Sequence, residues 1–203
     1  MNYLLWVSLG AAAVVGLTVG ITSMMTRKIE TPKYTVLHTI DGIEIRRYPK
    51  MTIARTRVSG PSMDQNGSSG FRSVANYIFG GNERNQKISM TAPVVMDLND
   101  SASLYFVLPS KLTLDQLPKP NSSSVQISEL GPTTMAVVRF SGFSTDAKIS
   151  TQCAVVQRFA EKHKLLHKSE FQYMGYNAPW DVVGRRNEVA LTIYSDLDGE
   201  ELK

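Results

Sequence analysis

The chain is poor in the side chains from which disulfides and metal sites are built. Its 203 residues include one cysteine, Cys153, and three histidines, His38, His163 and His167. A lone cysteine cannot close an internal bridge and gives no sign of an oxidising compartment. His163 and His167 stand four apart, a spacing suited to one helix face, but no acidic residue lies between them to make the zinc-protease pattern. A nucleophile triad, a phosphate loop, a paired-cysteine site and a dinucleotide fingerprint are likewise absent. "GSSG" at 67–70 lacks the spacing of a hydrolase elbow and reads as a flexible lead-in to a helix, and "DLNDSAS" at 97–103 reads as a turn between strands. No catalytic centre is therefore expected. Nor is there a concentrated basic stretch: 22 Lys and Arg against 18 Asp and Glu give a formal charge of +4, with the two signs interspersed. That pattern argues against nucleic-acid binding and suits a surface tolerant of anionic headgroups or a small anionic ligand.

Charge is missing altogether from the first 26 residues. Within them, Tyr3 to Ile21 would span roughly 28 Å as a helix, close to the hydrocarbon thickness of about 30 Å. Tyr3 and Trp6 at one end suit a membrane interface, and Arg27 and Lys28 follow the other. The segment reads as a single-pass transmembrane anchor. The alternative is a cleaved signal peptide and an exported domain, although no basic residue precedes Leu4. With the side-chain cations all after the run, the positive-inside rule leaves the folded domain on the cytoplasmic side. The expected organisation is an anchor at 1–26, a linker at 27–33 broken by Pro32, one folded domain at 34–195 and a tail at 196–203. A domain of roughly 160 to 170 residues buries enough surface to need no covalent staple.

The domain repeats itself. "IEIRRYPKMTIARTRVSG" (43–60) aligns without a gap over "VQISELGPTTMAVVRFSG" (125–142), each a strand, a turn at a proline and a second strand ending in Ser-Gly. Helical stripes follow both windows, with Phe71, Val74, Ala75 and Ile78 in 68–79 and Val156, Phe159, Ala160 and His163 in 145–166. "SMTAPV" and "GYNAPW" come next, then strands at 103–108 and 188–194. "KISMTAPV" (87–94) alternates Ile88, Met90, Ala92 and Val94 with polar residues and reads as a strand halted by Pro93. The expected fold is α+β, a duplicated strand-strand-helix-strand-strand unit whose antiparallel sheet is covered by one helix from each half. A groove is expected at the border of the halves.

The blocks "IEIRRY", "YIFGGNERNQKISMTAPV", "VVRFSGFSTDAK" and "GYNAPWDVVGRRNEVAL" resemble the SOUL haem-binding protein family, in order and over most of 34–195. The resemblance implies a distorted barrel-like antiparallel sheet flanked by two helices, similar to bacterial effector-binding domains. It also implies non-covalent binding of haem b or a related tetrapyrrole, with no catalytic centre common to the family. In some members the position of Arg47 is a histidine proposed to ligate iron. Arginine stays protonated and cannot do so. The other route the resemblance implies is an apolar pocket beside the first helix.

A porphyrin is an apolar disc with two carboxylates, so binding needs apolar lining and cations. The candidates for lining are Phe71, Val74, Ala75, Ile78 and Met90, which a plain core would also explain. Arg47 and Lys87 are candidate partners for a carboxylate, or solvated charges. His38 and His163 are the candidate iron ligands, with capping or solvent exposure as the alternative, and Cys153 reads as a small buried side chain. Burying about 400 Å² at about 25 cal/mol per Å² yields on the order of 10 kcal/mol gross, enough for micromolar binding without an iron bond. The functional expectation is a membrane-tethered tetrapyrrole-binding module. A tetrapyrrole-modifying enzyme and a membrane-surface interaction domain without ligand are the rivals.

Overall fold

A computed structural model describes residues 29–59, 63–99, 102–178 and 180–194. The expected anchor and tail lie outside these residues. Among the described residues, no helix is long and apolar enough to cross a membrane.

The architecture is α+β. One antiparallel sheet of nine strands holds β1 (Thr35–Ile40), β2 (Ile43–Tyr48), β3 (Met51–Arg57), β4 (Val94–Asp97), β5 (Ser103–Val107), β6 (Val125–Leu130), β7 (Thr133–Ser141), β8 (His167–Gly175) and β9 (Arg186–Ile193). Helix α1 (Met63–Ile78) follows β3 and helix α2 (Asp146–Lys162) follows β7. The strand order is β1-β2-β7-β9-β8-β4-β5-β3-β6. With β1 set aside, the order is a palindrome of the two halves, so the aligned windows occupy equivalent places about a line between β4 and β8. The ladder is open, with β1 and β6 at its edges.

Both faces of the sheet are buried. On one face α1 lays Val74, Ala75, Tyr77 and Ile78 over Ala54, Leu104 and Phe106, while α2 lays Ile149, Val156, Phe159 and Ala160 over Ile45, Ala136, Val189 and Leu191. The stripes read from the sequence at helical spacing face these strands, as burial of an amphipathic face requires. Thr145 caps α2, its hydroxyl accepting from the Lys148 N–H at 3.3 Å, with Asp146 in the first turn and Lys162 in the last complementing the helix dipole. The opposite face carries a third cluster: Tyr48, Ile53, Val95, Tyr105, Val107, Met135, Val137, Met174 and Ala190.

Two local expectations are corrected. "KISMTAPV" is not a strand. Residues 87–90 have no regular secondary structure and no ladder, Thr91 makes an isolated bridge to Glu30, and β4 starts only at Val94. Ile88 and Met90 still pack beneath α1, so the alternation reflects burial rather than pairing. "GSSG" lies inside α1 rather than ahead of it. Its last glycine is needed there, because a Cβ on Gly70 would stand 2.8 Å from Val58 Cγ1 and 2.9 Å from Leu104 Cβ.

Register also sets which loops share an end of the sheet. Val94, the first residue of β4, sits opposite Gly175, the last of β8, and opposite Phe106 near the end of β5. Arg186, the first of β9, sits opposite Ser141, the last of β7. Residues 91–93, the exit of β5, the β7–α2 connection and the β8–β9 loop therefore lie at one end. Glu30 joins them, since its carbonyl accepts from Ala92 N–H at 2.9 Å and its carboxylate from Ser110 N–H at 2.9 Å.

The two helix glycines make opposite predictions. Gly70→Ala lowers stability in urea unfolding, because overpacking costs about 1–3 kcal/mol against a helix gain of about 1. Gly67→Ala, whose Cβ would meet only the flexible Met96 Cε at 3.4 Å, leaves stability unchanged or raises it.

Candidate functional site

The sheet face away from the helices holds a cleft. It is lined by Pro32, Tyr48, Met51, Pro93, Val95, Tyr105, Val107, Met135, Gln172, Met174 and Tyr176 and is shallow, its space of about 350 Å³ including open solvent at the mouth. Alternation along the strands delivers these side chains. On β2, Ile43 and Ile45 face α2, so Glu44, Arg46 and Tyr48 face the cleft side. The lining comes from β2, β7, β8, β4, β5 and β3 and therefore spans the border of the two halves. Thr91 donates its hydroxyl to the Val107 carbonyl, which holds the segment leading to Pro93 against β5.

Beside one wall lies a buried ion cluster. Glu188 has no exposure. Its carboxylate accepts from Arg46 Nη1 at 2.8 Å and Nη2 at 3.1 Å, from Arg186 Nε at 2.9 Å and Nη2 at 2.7 Å, and from Tyr176 Oη at 2.8 Å. Arg46 also donates to Glu44 Oε2 at 2.7 Å and Tyr48 Oη at 3.3 Å. The guanidiniums of Arg46 and Arg186 stack over Tyr34 and Tyr176 at 4.4 and 3.9 Å. Burial alone would push the Glu188 carboxyl up, but the hydrogen bonds and charges of Arg46 and Arg186 outweigh it and hold the group below the usual carboxylate range. Burial raises the phenols of Tyr48, Tyr105 and Tyr176, so the cleft presents neutral phenols.

The other wall is built differently. Tyr105 Oη donates to Gln172 Oε1 at 3.3 Å, Gln172 Nε2 donates to Asp97 Oδ1 at 3.0 Å, and Ser103 Oγ donates to Asp97. Arg55 lies 3.6 Å from Asp97 through Nη2 and 5.1 Å over the Tyr105 ring. Its Nε is buried and has no hydrogen-bond partner among the described residues. Arg55 thus sets a guanidinium behind this wall of the cleft, against the Tyr105 ring.

The structure distributes the sequence-derived candidates away from this cleft. Val74, at 0% exposure, Ile78, at 1%, and Ala75 are packed into the core between α1 and the sheet, where no lining surface remains. Phe71 packs on Phe106 with ring centroids 5.4 Å apart, and Met90 packs against the same core. Lys87 is exposed on the segment before β4. Arg47 is exposed on the helix-side face of β2, between Thr35 and Thr134. The one-residue difference between Arg46 and Arg47 reverses the face. His38 pairs with Ile45 on that same helix-side face. His163 ends α2, its ring 4.6 Å from Phe159 and its buried Nε2 without a hydrogen-bond partner among the described residues. Cys153 is half-buried with its thiol pushed up by burial. No group of three or more His, Cys, Asp or Glu able to hold a metal ion occurs among the described residues.

The sequence model described as SOUL heme-binding protein matches residues 29–192. The chain belongs to the SOUL heme-binding protein family. Similar curated proteins include heme-binding protein 2 of Mus musculus, 30% identical over 80% of this chain and 85% of the relative, and heme-binding protein 2 of Homo sapiens, 32% identical over 73% and 76%. Among solved structures, the C-terminal domain of EcmrR aligns with a TM-score of 0.59 at 9% identity, covering 80% of this chain and 98% of that one. A hydrolase from Listeria innocua aligns at 0.56 and 9% identity, covering 78% and 94%. At that identity the two structures speak to the SOUL domain's fold alone.

The ion cluster yields a pH prediction. Because the folded-state Glu188 carboxyl lies below its unfolded value, its contribution is fully present above the ordinary carboxylate range and is lost as pH falls through the folded value. Glu188→Gln lowers the unfolding free energy at neutral pH by about 3–5 kcal/mol, since two arginines lose their buried counter-ion. The variant also shows a shallower loss of stability on acidification, read by urea unfolding across pH.

Proposed function

We propose that the chain binds haem or a related tetrapyrrole in the cleft, for holding or transfer rather than chemical conversion. Membership of a family named for heme binding carries the reading. The cleft supports its location. Its methionines, valines and prolines match a macrocycle's apolar surface, and Arg55, over the ring of the cleft residue Tyr105, is the nearby cation for one of its carboxylates. The open space of about 350 Å³ runs out into solvent rather than forming an enclosed pocket, so the macrocycle enters by one edge and stays partly exposed.

The residues fit the group, though not through histidine. Imidazole does not line the cleft, and its three phenols are neutral. The thioethers of Met51, Met135 and Met174 are the soft donors available, with Met51 at the more exposed position. When bound, haem would supply an iron centre, and one of these sulfurs would be its protein ligand.

The uncharged run at 3–21 supports a further element of the proposal, a membrane anchor with the domain on the cytoplasmic side.

Hemin titration of the full chain tests the binding reading. A saturable Soret shift at micromolar hemin is expected, and none at tens of micromolar contradicts it. Met51→Trp, at a partly exposed position, blocks the cleft and abolishes the shift. A shift unchanged in that variant moves the site elsewhere. Arg55→Met weakens hemin binding about tenfold or more, the loss of a charge-assisted hydrogen bond, but leaves binding of the porphyrin dimethyl ester unaltered.

A further inference from the structure

The loop that joins β8 to β9, residues 176–185, turns its polar groups inward. Asp181 is buried, and its carboxylate accepts from Ala178 N–H at 3.3 Å and Asn177 Nδ2 at 3.4 Å. Asn177 Oδ1 accepts from Arg186 N–H at 2.6 Å. Arg185 Nη1 donates to the carbonyls of Ala178 and Asp181 at 3.3 and 2.7 Å, and its guanidinium lies 4.8 Å over the Phe143 ring. What the loop leaves outward is apolar. Trp180 is 67% exposed, Val182 56% and Val183 72%, and Phe143 on the β7–α2 connection at the same end is 55% exposed. Surface loops ordinarily solvate their polar residues. Here those residues brace the loop from within while the large apolar side chains meet solvent.

We propose that this end of the domain is a membrane-contact surface, with Trp180, Val182, Val183 and Phe143 entering the interfacial layer of an anionic bilayer. Three observations favour lipid over a protein partner. Tryptophan is enriched at the water–hydrocarbon boundary, where its ring is both apolar and a hydrogen-bond donor. Exposed Lys111, beside Glu30, and Lys148, whose ammonium donates to the Phe143 carbonyl at 3.2 Å, belong to this end and are placed to meet anionic headgroups. The exposed acids there include Glu30, whose carboxylate is taken by Ser110 N–H, Glu129, paired with Lys50 at 2.9 Å, and Asp146. The third observation is where the chain arrives. Glu30 is hydrogen-bonded to Ala92 at this same end, and the sequence leading to it carries the uncharged run 3–21 followed by Arg27 and Lys28. A segment suited to a bilayer thus joins the domain where the apolar loop projects. The proposal is independent of the tetrapyrrole reading.

Trp6 and Trp180 are the two tryptophans of the chain, so Trp6→Phe in the full chain leaves Trp180 as the reporter. On adding phosphatidylcholine–phosphatidylserine vesicles, Trp180 emission is expected to move to shorter wavelength and to be quenched by lipids brominated in the upper acyl chain. The shift is smaller with phosphatidylcholine alone. Val182→Asp with Val183→Asp in the same background removes the shift while the chain keeps its circular dichroism. The proposal is overturned if the chain does not bind the vesicles, or if it binds while Trp180 emission stays that of the chain in buffer. It is also overturned if hemin shifts the emission and vesicles do not, which would make the loop a cover for the ligand.

Discussion

A carboxylate without solvent exposure, clasped by two guanidiniums, constrains the cleft side of the molecule. Glu188 on β9 draws Arg46 across from β2, over the intervening β7, and takes Arg186 from its own strand and the Tyr176 hydroxyl from the end of β8. Removing any one of these charges strands the others in a low-dielectric site, so the cluster is present as a whole or is costly. Tyr48 and Tyr176 belong to it and also line the cleft. The charge network therefore fixes one wall of the site, and an apolar replacement that preserved stability would still lose that placement.

Duplication explains where the cleft is, and divergence explains its two unlike walls. The palindromic strand order puts β4 and β8 at the centre, and Val95 and Met174 from these strands lie in the floor. On one side the Arg46–Glu188–Arg186 cluster is closed upon itself, with its donors directed at a resident acid. On the other, Arg55 shares Asp97 through one nitrogen and keeps another unsatisfied. An internally neutralised wall does structural work, whereas a wall with an unspent buried donor can recognise an anion.

Much of the fold was legible because helices and strands bury residues at fixed periods. The stripe Phe71, Val74, Ala75 and Ile78 and the aligned windows 43–60 and 125–142 led to the two helices and to pairs of strands in equivalent places. The site was harder, since both faces of this sheet are buried. β5 is buried at every position and β9 nearly so, and alternation then no longer tells which face holds a cleft. "IEIRRY" carries the missing signal in its second phase, where Glu44, Arg46 and Tyr48 oppose Ile43 and Ile45, yet adjacent arginines make that phase easy to misread by one. "KISMTAPV" failed for a related reason. Its apolar residues are buried from an irregular segment outside the ladder, and sequence period reports burial rather than hydrogen bonding.

The central claim is that the ligand occupies the cleft side of the sheet. Methionine methyl resonances test it most directly, because Met51, Met135 and Met174 line the cleft while Met90 and Met96 belong to the core under α1. With a diamagnetic gallium protoporphyrin, the ring current should displace the Met51, Met135 and Met174 methyls and leave Met90 and Met96 nearly unmoved. Displacement confined to Met90 and Met96, with the three cleft methyls unchanged, would contradict the account.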